Sequence, residues 1–385
     1  MASNTVVVLG GGTGGIVAAN RLRRELAAND RVVVVERDPT YRFAPSFLWV
    51  LTGQRRPEQI SADPGRLRRR GIELVEAEAR AVDLEARRIE TSGEPVAYGR
   101  LVVALGAELA PELLPGFAES AHTVYTLEGA VAAAQALEEF DGGRVAVLVS
   151  RLPYKCPAAP YETALLTEAL LRKRGVRGRS NVDVYTPEPF PMPTAGSEIG
   201  ESVRGLLESR GIGFHPEQTV ERIEADAREL VLEGGERVPF DLLLGIPPHR
   251  APAVVLESPL AGPSGFIPVD GKTLVTPVEG VSAIGDVTSI PIAGGKFLPK
   301  AGVFAQGQAE VVAKRIAAEL AGRTPSGAFD GKGACFLEMG DGSAAYASGD
   351  FYAEPRPQVR LRRPGRHWHL GKVAFERYWL WRWFR

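Results

Sequence analysis

The run Gly10-Gly11-Gly12-Thr13-Gly14-Gly15 constrains this chain more than any other stretch. It follows the apolar strand pattern Thr5–Leu9 and opens a helical pattern at about Gly14–Ala27. A second strand pattern, Arg31–Val35, comes next and ends in Glu36. Strand, glycine turn, helix and parallel strand make a βαβ unit, with strands buried on both faces and hence unbroken in valine. Gly10 permits the tight turn, Gly12 lets an anion approach bare backbone, and Gly15 lets the helix pack closely on the strand. A pyrophosphate then lies at the positive end of the helix, beside Thr13. Glu36, followed by Arg37, is placed to accept a bond from an adenosine ribose hydroxyl and to repel a 2′-phosphate. That favours FAD or NAD over NADP. The plain alternative is a glycine turn that serves packing only.

The pattern repeats later without its glycines. A strand at Arg144–Val149, a helix at about Pro157–Arg174 and a strand at Asn181–Tyr185 form a second unit. Its turn reads Ser150-Arg151-Leu152-Pro153-Tyr154-Lys155-Cys156-Pro157, so side chains and two prolines stand where a nucleotide would meet bare backbone. Nicotinamide binding there is not expected. A short apolar strand, Leu101–Leu105, ends in Gly106, and a late one, Val281–Ile284, ends in Gly285-Asp286 before a long helix from about Ala301 to Leu320. The expected fold is α/β: two Rossmann-like dinucleotide-binding domains plus a small C-terminal α+β region. The boundaries are residues 1–110 with 245–322 for a discontinuous first domain, 111–244 for the second, and 323–385 for the rest. Glu354–Pro364 reads as a Pro/Arg linker. At 385 residues with 44% apolar and 24% charged, the chain can fill such domains.

The late Gly285-Asp286 decides between FAD and NAD. Its carboxylate can bind a ribityl hydroxyl, and the helix after it can aim its N-terminus at a flavin pyrimidine ring. Cys156 precedes Pro157 and reads as lying at or next to the N-cap of the second helix, where Lys155 and the helix N-terminus favour a thiolate. Cys335, within Ala334-Cys335-Phe336-Leu337, reads as a buried strand residue. These are the only two cysteines. They exclude a disulfide framework or a Cys-rich metal cluster, and two inert core thiols remain the bland alternative.

Three stretches resemble the sulfide-oxidising flavoproteins, namely sulfide:quinone oxidoreductases and the flavoprotein subunits of flavocytochrome c sulfide dehydrogenases. Phe43-Ala44-Pro45-Ser46-Phe47-Leu48-Trp49-Val50 is similar to a Pro-Ser…Trp-Val signature. Lys155-Cys156-Pro157-Ala158-Ala159-Pro160-Tyr161-Glu162 is similar to a Cys-Pro-Pro-Gly-Pro-Tyr-Glu run. Ile284-Gly285-Asp286 with Leu298-Pro299-Lys300-Ala301-Gly302 resembles the Gly-Asp and Pro-Lys elements. The resemblance implies that Cys156 and Cys335 flank the flavin as a disulfide or polysulfide bridge. Hydrosulfide attacks that bridge, and two electrons pass through FAD to a quinone or a cytochrome. Lys300 then stabilises the reduced flavin, and Pro45, Ser46 and Gly106 lie on the cofactor side. No cysteine lies near Pro45 to tether the flavin, so the FAD implied is non-covalent.

The net charge of −1 hides an asymmetry. Residues 351–385 carry +7, with Trp368, Trp379, Trp381 and Trp383 among them, and the body carries −8. The near-zero total gives no global field for nucleic acid, and no partner of that kind is expected. The segment 371–385 has the aromatic and arginine content of a peripheral membrane anchor, yet Lys372, Glu376, Arg377, Arg382 and Arg385 scatter round a helical wheel. Packing on the body is the other reading. His249 reads as a general base or as a solvent-facing loop residue. His367 and His369 flank Trp368 with no carboxylate or cysteine partner evident, so no metal site is expected. The first residues, Met1–Asn4, show no leader pattern, which gives a cytoplasmic expectation, with peripheral contact at the inner face of the cell membrane. A homodimer is one assembly open to the chain. The rival readings are a type II NADH:quinone oxidoreductase relative, a flavoprotein electron-transfer subunit of a cytochrome complex, and a non-catalytic adenine-nucleotide-binding protein.

Overall fold

The valine runs become strands with almost no exposed surface: Val6–Leu9 are fully buried and Val32–Val35 are at most 2% exposed. In the computed structural model, which describes residues 4–385, the chain runs as follows. β1 (Thr5–Leu9), α1 (Thr13–Glu25), β2 (Arg31–Glu36), β3 (Glu73–Glu76) and β4 (Arg100–Val103) come first. β5 (Gly143–Val149), α2 (Ala159–Lys173), β6 (Ser180–Tyr185), β7 (Gly213–His215) and β8 (Leu242–Ile246) follow. β9 (Val281–Ala283), α3 (Gly302–Leu320), β10 (Lys332–Gly340), β11 (Ser343–Asp350), β12 (Gln358–Gly365) and α4 (Arg366–Phe384) complete it. The leader reading for the N-terminus falls partly on residues 1–3, outside the described ones.

Two parallel sheets carry the architecture. The first has the order β9-β4-β1-β2-β3, with Val6 beside both Val32 and Arg100, and Val281 beside Leu101. The late strand β9 therefore closes the N-terminal sheet from across the chain. The second sheet has the order β7-β6-β5-β8 and is parallel throughout. α1 and α3 lie side by side on the first sheet, so close at their starts that a methyl on Gly302 would stand 3.4 Å from Thr13. Two positive helix ends thus converge at the carboxyl edge of the strands.

The segment read as a linker is largely a strand. β12 pairs antiparallel with β11, which pairs with β10. Val359 and Leu361 face the second core while Arg360 and Arg362 alternate outward, a period-2 pattern that the prolines disguise.

α4 packs on the body. Its buried residues Lys372, Glu376, Trp379 and Trp383 follow a helical stripe, with Phe384 beside them. The charges that looked scattered include two that belong to the buried face. Trp379 Nε1 donates to the Tyr41 hydroxyl at 2.7 Å. Arg70 Nη2 donates to the carbonyls of Arg382 (2.9 Å) and Arg385 (2.7 Å), which gives the helix end partners for its free acceptors. Among the described residues no helix is long and apolar enough to cross a membrane.

Candidate active site

The glycine turn has the shape its sequence predicts. Gly10 holds φ at +104°, and a Cβ there would stand 2.6 Å from the Ala104 carbonyl oxygen. A Cβ on Gly15 would stand 1.8 Å from the Gly10 oxygen, which is the close strand–helix approach. At Gly12 nothing lies within 4 Å of the same position. Gly12 caps α1 without a side-chain acceptor, so the first N–H groups of the helix face that open space. Glu36 is half-buried. Its Oε2 accepts from Gly11 N at 2.6 Å and its Oε1 from Asp38 N at 2.8 Å, which fixes the carboxylate while leaving further lone pairs. Arg37 is taken up by an ion pair with Glu78 at 3.0 Å.

Gly106 and Gly285 both take positive φ, +71° and +74°. Asp286 follows with a buried Oδ1 that has no hydrogen-bond partner. Desolvation pushes its carboxyl above the usual range, and the Lys300 and Lys155 ammoniums oppose that shift. An orphaned buried acceptor calls for a donor, and a ribityl hydroxyl meets that need. With the open backbone at Gly12 and the paired helix ends, the residues present fit FAD. Pro45 is exposed on a short 3-10 turn. Ser46 is fully buried and its hydroxyl donates to Glu376 Oε2 at 2.5 Å, so its proton serves α4 and not a cofactor.

Lys300 is nearly buried, at 9% exposed. Its Nζ donates to the carbonyls of Asp286 (2.6 Å) and Thr288 (3.2 Å) and lies 3.3 Å over the Phe266 ring. Burial draws its ammonium down to about 8.

Cys156 and Cys335 line one apolar cavity of about 70 Å³, with Ala301 and Val303 from the start of α3, Pro299 and Met192. Both are free thiols. Cys156 lies two residues before Ala158, the cap of α2, so it is not the cap itself, but the Ala159 backbone at the helix start still favours its thiolate. It takes φ +55°, its N–H donates to the Lys300 carbonyl at 2.7 Å, and Tyr125 Oη donates to its carbonyl at 3.3 Å. Burial pushes its thiol well above the usual range, with Cys335 and Glu162 adding to the effect and Lys372 opposing it. Lys155 turns away to the Ala107 carbonyl at 3.4 Å. Cys335, expected to be buried, is exposed, but into a cleft walled closely enough that desolvation pushes its thiol up to about 12.

The glycine-free turn is tied down by a buried carboxylate. Glu188, past the end of β6, is 2% exposed. Its Oε2 accepts from Tyr154 Oη at 3.0 Å, from Thr186 Oγ1 at 3.1 Å, and from the Tyr161 hydroxyl. Burial pushes its carboxyl up to about 7. The glycine-free turn supplies Tyr154 for this lock, and Arg151 from the same turn reaches the Val220 carbonyl at 2.7 Å.

A buried charge chain went unread in the sequence. Lys372 Nζ lies 3.4 Å from Glu162 Oε1, which also accepts from Glu338 N at 2.8 Å. Glu338 Oε2 in turn lies 2.9 Å from His369 Nδ1. Glu162, Glu338 and Lys372 are at most 5% exposed. His369 therefore has the carboxylate partner that sequence spacing did not reveal. The appearance of Glu162 in the Cys156 run was the only hint. His249 corrects another expectation: it is 8% exposed, on a short strand paired with Glu108–Leu109. Its Nδ1 lies 2.8 Å from the Pro247 carbonyl, its Nε2 is buried without a partner, and burial with nearby lysines draws its pKa down to about 3. It stays neutral across ordinary pH.

The chain is similar to the sulfide-quinone reductase of Aquifex aeolicus, 28% identical over 98% of this chain and 90% of that protein. It is similar to the mitochondrial sulfide:quinone oxidoreductase of Mus musculus, 27% identical over 91% of this chain and 79% of that one. The X-ray structure of the Aquifex aeolicus sulfide:quinone oxidoreductase superposes with a TM-score of 0.89, at 26% identity, covering 99% of this chain and 92% of that chain. The family model for pyridine nucleotide-disulphide oxidoreductases matches residues 4–309. The chain belongs to the pyridine nucleotide-disulphide oxidoreductase family.

Proposed function

We propose that this chain is an FAD-dependent oxidoreductase that oxidises sulfide, or a related small sulfur species, at Cys156 and Cys335 and passes the electrons to a quinone. One observation carries the reading: the only two cysteines share one cavity with the start of α3, the helix whose neighbours Lys300 and Asp286 form the flavin side. The likeness to two named sulfide:quinone oxidoreductases supports the same substrate and acceptor.

When bound, non-covalent FAD supplies a two-electron acceptor between the sulfur pair and the quinone. Gly10, Gly12, Thr13 and Gly15 hold its pyrophosphate, Glu36 its ribose, and Gly106, Gly285 and Asp286 the flavin side. With the cysteines bridged, hydrosulfide attacks the exposed Cys335 sulfur. A sulfide–Cys335 bond forms, the Cys335–Cys156 bond breaks, and the bridge's electron pair leaves on Cys156 as thiolate. Lys372 favours the thiolate form of both sulfurs, against the neighbouring Glu162. Re-forming the Cys156–Cys335 bond breaks the bond to the outer sulfur, which leaves on a second hydrosulfide as HSS⁻; one proton is released, and the two electrons go to the acceptor that bound FAD would supply.

The outward side of α4 supports peripheral membrane contact through 371–385, where a quinone would be met. Tyr378 and Trp381 are about half exposed there, next to Arg382 and Arg385. Aromatic rings with arginines suit a headgroup interface.

Anaerobic flavin spectra test the reading. Sulfide should bleach the bound flavin and NADH should not, because the second turn, with no glycine and with Tyr154 tied to Glu188, offers no bare backbone to a second pyrophosphate. Bleaching by NADH but not by sulfide would overturn it.

A further inference from the structure

The flavin side holds two lysines and only one carboxylate. Lys155 and Lys300 are backbone partners in an isolated parallel bridge, and Cys156 N donates to the Lys300 carbonyl at 2.7 Å. The bridge brings two ammonium side chains to one wall. Lys300 Nζ is held by the carbonyls of Asp286 and Thr288. Lys155 Nζ reaches the carbonyl of Ala107, next to Gly106 on the flavin side, at a long 3.4 Å. Asp286 interacts with both cations, and among the described residues it is the one carboxylate that raises either lysine. His249, between the lysines and Tyr125, is neutral and adds no negative charge. A like-charged pair with one counter-ion is costly in a desolvated pocket unless a further anion completes it.

We propose that Lys155 is a second cation for the reduced flavin, paired with Lys300, so that the pocket has one positive charge in excess of its own carboxylate. The inference rests on the FAD reading. Reduction of the flavin by two electrons and one proton leaves an anion, and an extra fixed cation favours that product over the neutral oxidised ring. The glycine-free turn would then do two things: its prolines and Tyr154 deny bare backbone to a nicotinamide nucleotide, and its Lys155 raises the flavin's affinity for electrons. Lys155 acts electrostatically, and because it also interacts with the neighbouring Cys156, the test reads the flavin potential and not the thiol.

The test is the two-electron midpoint potential of the bound flavin, set by dye equilibration with a chemical reductant and no sulfide. Lys155→Met should weaken the preference for reduced flavin at least tenfold, a fall of about 30 mV for a two-electron couple. Lys155→Arg, which keeps the charge, should stay at the wild-type potential and guards against a merely structural loss. Flavin content and thermal melting establish that each variant is folded; if Lys155→Met fails there, Lys155→Gln takes its place. An unchanged potential in the folded neutral variant overturns the proposal, even if Cys156 alkylation slows, since that outcome assigns Lys155 to the thiol. Purified wild-type protein without flavin would instead overturn the FAD reading itself.

Discussion

Gly12 and Gly15 are both glycines of one turn, yet the structure predicts opposite failures when each becomes alanine. At Gly12 the backbone has φ −71° and nothing lies within 4 Å of a new methyl. The fold should lose only the difference between a glycine and an alanine cap, about 0.5–1 kcal/mol. The methyl projects into the space where the pyrophosphate must meet bare N–H groups. Losing one or two charge-assisted hydrogen bonds of about 1.5–3 kcal/mol each should weaken FAD binding by at least tenfold. At Gly15 the methyl would stand 1.8 Å from the Gly10 oxygen, so backbone must shift by more than its contact limit allows. That variant should lose about 3 kcal/mol or more of stability before any ligand is considered. Thermal melting of the apoproteins separates the two, and fluorescence titration with FAD gives the affinity. Wild-type affinity in Gly12→Ala would refute the placement of the pyrophosphate, and an apoprotein melting as low as Gly15→Ala would refute the open space.

Lys372→Met strands Glu162 in the interior, and it should cost about 3–5 kcal/mol in urea denaturation; adding Glu162→Gln should recover part of it. Glu188, raised from 4.5 to about 7, stays protonated in the folded state while the unfolded chain has already ionised. Stability should therefore fall as pH rises from about 4.5 to 7, by on the order of 3 kcal/mol, and level off above; Glu188→Gln should flatten that slope in melting curves across pH. Trp379→Ala should cost about 3–5 kcal/mol, as a buried indole with a hydrogen bond, whereas Trp381→Ala should change stability by about 0.5 kcal/mol at most while weakening sedimentation with anionic liposomes.

What the sequence made legible was local. The glycine turn and the strands on either side of it follow from patterns within a few residues, plus one rule about buried parallel strands. What it hid depends on partners far along the chain. Lys372 and Glu376 spoil the helical wheel of α4 because periodicity records polarity and cannot see that Glu162 and Arg55 await them inside. His249 looked like a loop residue because its burial comes from pairing with Glu108–Leu109, more than a hundred residues earlier. Gln358–Gly365 was masked by Pro357 and Pro364 although Val359 and Leu361 alternate as a strand should. The two cysteines were named from the sequence, but their shared cavity was not, since 179 residues separate them and only the fold brings them together.

The cysteine pair carries the account, and one measurement bears on it directly. Anaerobic stopped-flow mixing of the flavin-loaded Cys335→Ser variant with sulfide should give no bleaching of the flavin, while a chemical reductant still bleaches it as in the wild type. Normal bleaching by sulfide in that variant would contradict a route through the Cys156–Cys335 cavity.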